Sequence, residues 1–285
     1  MQISAFPSFD LTGKKALVTG GSKGIGLAIA SGLAHYGAEV MITGRHEDAL
    51  IEASEELKAL GGKVSWKISD VTSKEEVAAL FHYIDEEFGQ LDILINNAGM
   101  NIRKLLVDVE EEDWDRVLDT NLKGIFLVGQ QAAKRMMYQK KGRIINISSI
   151  MGKVGNALQT SYAASKGGMD QLTKVWAAEL AEYNITVNGL APAYIKTPMT
   201  AHFLEDPERL RKIVDRTMVK RMGEVEEMIG PTVFFASDAS VSFMGDIIWN
   251  RTPSPKQLRR ASRCSRSSSK RTTGSSSGKS MPTGT

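Results

Sequence analysis

Cysteine is almost absent from these 285 residues. Cys264 is the only one, so no internal disulfide can form, which suits a reducing compartment. No apolar run approaches the roughly 20 residues that a membrane-spanning helix needs. The opening MQISAFPSFDLTGKK lacks the basic-then-apolar pattern of a secretory signal. The cytoplasm is therefore the expected location, without a membrane partner, and the sequons at Asn146, Asn184 and Asn250 read as chance. His35, His46, His82 and His202 show no metal-ligand spacing and read as surface or lid residues. Neither a zinc enzyme nor a His-dependent hydrolase is supported, and no metal is expected. Acidic residues are missing from 251–285, which hold nine Lys or Arg, so residues 1–250 carry 27 basic against 33 acidic side chains, a net of −6 within an overall +3. A mildly acidic body argues against nucleic acid as a partner.

What is present is regular alternation. Short β-branched runs are expected as strands over Lys15–Thr19, Glu39–Thr43, Lys63–Ser69, Leu91–Asn96, Arg143–Ser148, Thr186–Leu190 and Gly245–Trp249. Most are almost wholly apolar, as strands covered on both faces are. Between them lie helical periodicities: Val77, Leu80, Phe81, Ile84 and Phe88 form one stripe, and Leu172, Val175, Trp176, Glu179 and Leu180 another. The expected fold class is α/β, a doubly wound parallel sheet of about seven strands with helices on both faces. No Pro/Gly-rich linker divides residues 1–250, which are expected to be one domain. Residues 251–285, rich in Ser and Arg, have too little to bury to offset chain entropy and are expected to be disordered.

The run Ala16-Leu-Val-Thr-Gly-Gly-Ser-Lys-Gly-Ile-Gly26 falls where the first strand turns into the first helix. Gly20, Gly24 and Gly26 there permit a tight turn and close approach to a pyrophosphate, which the helix N-terminus would bind. Three glycines alone also fit a merely flexible loop. The second strand ends Ile42-Thr43-Gly44-Arg45, with no acid at 43–45 to bind ribose hydroxyls. Arg45, with Lys23 nearby, would suit a ribose phosphate, so NADP is favoured and NAD stays open; both cations also fit solvated surface charges. Tyr162 and Lys166, at i and i+4, share one helix face. A lysine ammonium there would favour the phenolate, letting the tyrosine serve as acid or base.

The TGxxxGxG spacing resembles the short-chain dehydrogenase/reductase superfamily, and further motifs follow in family order. The resemblance implies a Rossmann-type sheet binding a nicotinamide cofactor. Ser149, thirteen residues before Tyr162, takes the place of the family's catalytic serine; adjacent Ser148 competes, but strand alternation would send it the other way. Asn96-Asn97-Ala98-Gly99 matches the family's NNAG element, and Asn121 resembles the helix asparagine that holds a proton-relay water. Asn188 sits where the sixth strand is expected to end. Pro192-Ala-Tyr-Ile-Lys-Thr197 matches PGxxxT except for Ala193, and Thr197 would bind the nicotinamide amide. The implied catalytic set is Asn121, Ser149, Tyr162 and Lys166. The implied cofactor contacts are Gly20, Ser22, Lys23, Gly24, Ile25, Gly26, Arg45, Asp70, Val71, Asn97, Ala98, Gly99, Tyr162, Lys166, Pro192, Ile195 and Thr197. Asp70 resembles the adenine-contacting acid, and could equally be a turn residue or a helix cap. Pro198–Asp215 would form a mobile lid.

Within the superfamily the body of the chain resembles gluconate 5-dehydrogenase-like enzymes, through Asn97-Ala-Gly-Met-Asn-Ile-Arg103 and Pro192–Met199. Arg103 could pair with a sugar-acid carboxylate, or be a solvent-facing charge beside Lys104. A 3-oxoacyl-carrier-protein reductase shares nearly every motif and would want a basic docking patch, for which Lys134, Arg135, Lys140 and Lys141 offer a modest one. A nucleotide-binding pseudoenzyme is the reading from another class. Relatives end on Val-Asp-Gly-Gly, whereas this chain departs from Trp249 onward, as a frameshifted or vector-derived end, or a genuine extension, would. The expected assembly is a homodimer or homotetramer, weakened by that ending.

Overall fold

A computed structural model of the protein describes residues 6–249. Strands β1 (Lys15–Thr19), β2 (Glu39–Gly44) and β3 (Lys63–Ile68) alternate with helices α1 (Gly24–His35), α2 (Glu47–Ala59) and α3 (Lys74–Glu87). Then come β4 (Ile93–Asn96), α4 (Glu111–Leu118), α5 (Gly124–Gln139), β5 (Gly142–Ile147), α6 (Thr160–Leu180) and β6 (Ile185–Ala191). The last elements are α7 (Pro198–Leu204), α8 (Pro207–Arg216), α9 (Ile229–Ala236) and β7 (Ile247–Trp249). The strands form one sheet in the order β3-β2-β1-β4-β5-β6-β7, and all its pairings are parallel.

Alternation within the strands builds two cores. Ala16, Val18, Val40, Ile42, Ile93 and Ile95 face one side with Ile29 and Leu33 of α1. Leu17, Met41, Leu94 and Ile144 face the other with Leu80, Phe81 and Ile84 of α3 and Val128 and Ala132 of α5. Successive side chains of a strand point to opposite faces, so a strand covered on both must be apolar throughout. Burying each such large side chain contributes about 1.5–3 kcal/mol. Edge strand β3 is half-covered instead, which is why it alone reads Lys-Val-Ser-Trp-Lys-Ile. Among the described residues no helix is long and apolar enough to cross a membrane.

Several local expectations change. Leu91 is buried, but its amide and carbonyl bond the Gln139 side chain, not a strand, so β4 starts at Ile93. Gly245 takes a left-handed φ of 71°, and β7 starts two residues later. Asn188 lies inside β6, where its side chain accepts from the Asp246 amide and donates to the Phe243 carbonyl. On α6 the buried face is Met169, Thr173, Ala177 and Leu180, and Val175 points outward. A polar Thr173 belongs to that face because its hydroxyl is satisfied by the Met169 carbonyl, which an apolar-only stripe overlooks. The expectations for residues 251–285, and for Asn250, lie outside the described residues. Asn146 is fully buried between the Asn96 and Thr173 side chains.

Candidate active site

The strand order reverses between β1 and β4, where the crossovers depart in opposite directions and leave a crevice at the carboxyl ends of the strands. A cavity of about 300 Å³ occupies that crevice. Gly20 turns the chain out of β1 at φ 63°, and a Cβ there would come within 3.0 Å of Ala98 Cα. A Cβ on Gly26 would lie 2.2 Å from the Gly20 carbonyl oxygen, so α1 meets the loop backbone to backbone. The N-cap of α1 is Lys23, whose side chain has no acceptor, so the first amides carry no side-chain cap. Such an end is suited to an anion. The loop is clasped from β4: Asn97 Nδ2 donates to the Thr19 and Gly20 carbonyls, each at 3.0 Å, and Thr19 Oγ1 accepts from the Asn97 and Ala98 amides.

At the outer end, Arg45 follows β2 and stands 3.9 Å from Asp70 Oδ2. Asp70 Oδ1 accepts from the amide and hydroxyl of Thr72, a turn. The cap of α3 is Ser73, not Asp70. Val71 lies buried against Gly124, where an added Cβ would sit 2.8 Å from it. Every residue assigned to the cofactor from sequence, from Gly20 and Ser22 through Asp70 and Gly99 to Pro192, Ile195 and Thr197, lines this one cavity. Thr197 also caps α7, accepting from the Thr200 amide at 3.3 Å. The segment expected as a lid consists of two helices, α7 and α8, and both begin with a proline at the first turn.

At the inner end stand Ser149 and Lys166, both buried, and Tyr162, half-buried. Tyr162 and Lys166 lie one turn apart on α6, with the Lys166 ammonium 5.8 Å from the Tyr162 ring centroid. Lys166 Nζ donates to the Ile147 carbonyl at 2.7 Å. Burial pushes the Lys166 ammonium down to about 8. Burial also raises the Tyr162 phenol, opposed by the Ser149 hydrogen bond and the Arg103 charge. Ser148 points away from the cavity's tyrosine, donating to Asp170 Oδ1 at 2.5 Å. Asn121 lies in a π-helical turn, Asp119–Lys123, that joins α4 to α5. Fully buried, its side chain accepts from the Met100 amide and donates to the Met100 carbonyl and Ser165 Oγ.

Arg103 is half-buried beside this group. With its amide oxygen turned toward the guanidinium, Gln159 accepts from Nη1 at 2.8 Å and Nη2 at 2.9 Å. Desolvation lowers the Arg103 pKa, while Tyr194 and Tyr162 favour its charge. Tyr194 in turn accepts from Asn156 Nδ2 at 3.3 Å. Gln159, Tyr194 and Asn156 were not legible as site residues, because neutral polar groups in loops carry no spacing signal. His46, read as a surface or lid residue, is exposed and also lines the outer end of the cavity; its place directly after Arg45 was the available clue. Arg135, expected in a basic patch, is committed to Asp85 through Nε at 2.6 Å and to the Phe81 ring at 4.8 Å.

The short chain dehydrogenase profile matches residues 14–208. Gluconate 5-dehydrogenase of Gluconobacter oxydans is 40% identical over 240 residues, covering 84% of this chain and 94% of that protein. A 3-oxoacyl-[acyl-carrier-protein] reductase of Thermotoga maritima is also 40% identical, over 84% of this chain and 96% of its own. The crystal structure of a gluconate 5-dehydrogenase from Burkholderia cenocepacia with NADP and tartrate superposes with a TM-score of 0.82 at 35% identity, over 84% and 94% of the two chains. With the fold, the crevice and these likenesses in agreement, the chain belongs to the short chain dehydrogenase family, nicotinamide-dependent oxidoreductases acting on CH–OH groups.

Proposed function

We propose that the protein interconverts a secondary alcohol and a ketone on a sugar acid of the gluconate/5-ketogluconate kind, with NADP(H) as cofactor. Arg45 and Lys23 would hold the ribose phosphate, and the α1 N-terminus with Gly20 to Gly26 the pyrophosphate. The bound nicotinamide supplies the hydride in reduction and takes it in oxidation. In reduction Tyr162 gives its phenolic proton to the carbonyl oxygen, while the Ser149 hydroxyl hydrogen-bonds that oxygen. The Lys166 cation stabilises the phenolate left behind, and the proton is regained through the Lys166 side. Asn121 holds the turn at Met100 against α6 through Ser165. Arg103, facing Tyr162, would pair with the carboxylate of the acid.

The observation that carries the substrate reading is the half-buried Arg103 guanidinium, oriented by Gln159 beside the catalytic tyrosine. A solvent-facing charge would have no such setting. The competing acyl-carrier reading needs a basic docking patch, and Arg135 is already engaged by Asp85. The test is a panel of sugar acids, β-ketoacyl thioesters and simple ketones with NADPH and NADH. Reduction of 5-ketogluconate or a similar keto-sugar acid should exceed that of a β-ketoacyl thioester. Efficiencies in the opposite order would assign the protein to acyl reduction.

A further inference from the structure

The stripe that begins with Tyr162 and Lys166 does not stop there. Continuing by fours along α6 it reaches Asp170 and then Lys174, so four polar residues share one helix face. Asp170 is only 4% exposed, an unusual place for a carboxylate unless it is partnered. Its partner is Ser148, at 2.5 Å. The turn Ile150–Gly152 closes over it: a Cβ on Gly152 would fall 2.3 Å from Asp170 Oδ2. Three consecutive residues at the end of β5 thus meet three successive positions of the stripe. The Ile147 carbonyl takes Lys166, the Ser148 hydroxyl takes Asp170, and the Ser149 hydroxyl meets Tyr162.

We propose that Asp170, anchored by Ser148, is a positioning residue for Lys166: its buried carboxylate, one helical turn away on the same face of α6 and not in direct contact, favours the charged form of the lysine that Tyr162 needs. The inference rests on the assignment of Tyr162 and Lys166 as the acid and its cationic neighbour. Without a counter-charge, an ammonium among Ile147, Met169 and the Tyr162 ring has only one carbonyl to hold its proton. Burial drives the Lys166 pKa down and Asp170 opposes it. For Asp170, burial is the leading influence and raises its pKa, while Ser148, Lys166 and Lys174 favour the anion. The other charged groups are accounted for. Lys174 is exposed and screened, and Arg103 faces Tyr162. Asp119 and Lys123 of the π turn pair with each other. The end of β5 and the Ile150–Gly152 turn present no charge of their own.

The test is the pH profile of kcat/KM for NADPH-dependent reduction of 5-ketogluconate, or of the best ketone in the panel. Reduction needs both Tyr162 and Lys166 protonated, so activity falls as pH rises through the first ionisation of the pair. Asp170→Asn keeps the shape and the hydroxyl partner but removes the negative charge. The lysine proton and the phenol proton both become easier to lose, so the alkaline limb should move to lower pH by about one unit, a tenfold change in ionisation constant. Should that variant fold poorly, Ser148→Ala with Asp170→Ala removes both partners together, which leaves no buried polar orphan. It should show the same downward shift. A folded variant of either kind whose limb stays at the wild-type pH, with only the plateau lowered, overturns the inference. Tyr162→Phe separates the two levels: substantial activity in it removes the site assignment, whereas an inactive Tyr162→Phe with an unmoved limb in the Asp170 variants removes only the role of Asp170.

Discussion

Arg45 and Lys166 are cations lining the same cavity, yet the Arg45 side chain is 60% exposed and Lys166 only 4%. The difference matches what the proposed mechanism asks of each. Arg45 would meet a phosphate that carries its charge into the site, and the attraction tolerates loose geometry and a solvated guanidinium. In the proposed mechanism Lys166 would act on a phenol whose proton moves, which calls for a strong, fixed field away from water. The outer end is built from strand ends and turns, with Asp70 as a 3.9 Å neighbour of Arg45. The inner end is built from a long helix against a strand terminus, with hydrogen bonds of 2.5 to 2.9 Å from Asn146 to Thr173, from Ser148 to Asp170 and from Lys166 to the Ile147 carbonyl. On the proposed mechanism, recognition would fall at the surface and proton transfer at the buried end.

The sharpest way to break this contrast is at the inner end. Tyr162→Phe removes one oxygen and no packing volume, so the fold and cofactor affinity should survive. Turnover should drop by roughly 10² to 10⁴, the contribution of a placed general acid. Steady-state kinetics with fluorescence titration of NADPH distinguish the two quantities. Turnover near wild type would mean that the buried end is structural only.

At the outer end the expected effect is smaller and falls on affinity alone. NADPH should bind at least about tenfold tighter than NADH, roughly 1.4 kcal/mol. Arg45→Asp would set a second carboxylate beside Asp70 and against the ribose phosphate, and should weaken or invert that preference with little change in kcat for a saturated enzyme. Dissociation constants from isothermal titration settle the point. Equal values for both cofactors in the wild type would show that Arg45 is an ordinary surface charge.

The same division explains what could be read from sequence. The sheet was legible because strands covered on both faces must be apolar, and the glycine loop because Gly20 and Gly26 meet backbone with no room for a Cβ. Spacing and family order singled out Tyr162, Lys166 and Ser149, which the fold brings to one cavity. Residues that act through tertiary contacts were not. Asp170 looks like any polar helix position until Ser148 and Gly152 close over it, and Gln159 gains meaning only when Arg103 folds back from a loop 56 positions earlier in the chain. Thr173 misled the reading of α6, since its hydroxyl is satisfied by its own helix and so can be buried like an apolar group.

The smallest expected effect tests the contrast directly, because dissolved salt reaches one end of the cavity and not the other. At about 0.1 M ionic strength charges screen over about 10 Å, and over about 3 Å at 1 M. Arg45 and Lys23 are exposed, so raising sodium chloride should weaken NADPH binding a few-fold. NADH, lacking the ribose phosphate, should lose less, and the ratio of the two dissociation constants should shrink. Lys166 is buried and Tyr162 only partly exposed, so kcat at saturating NADPH and the position of the alkaline limb should change less across the same series. Arg45→Ala supplies the control, since its NADPH affinity should depend on salt less than that of the wild type. If salt instead moved the alkaline limb as much as it moved NADPH affinity, Lys166 would be titrating in contact with solvent, and the separation of a wet recognition end from a dry proton-transfer end would not describe this cavity.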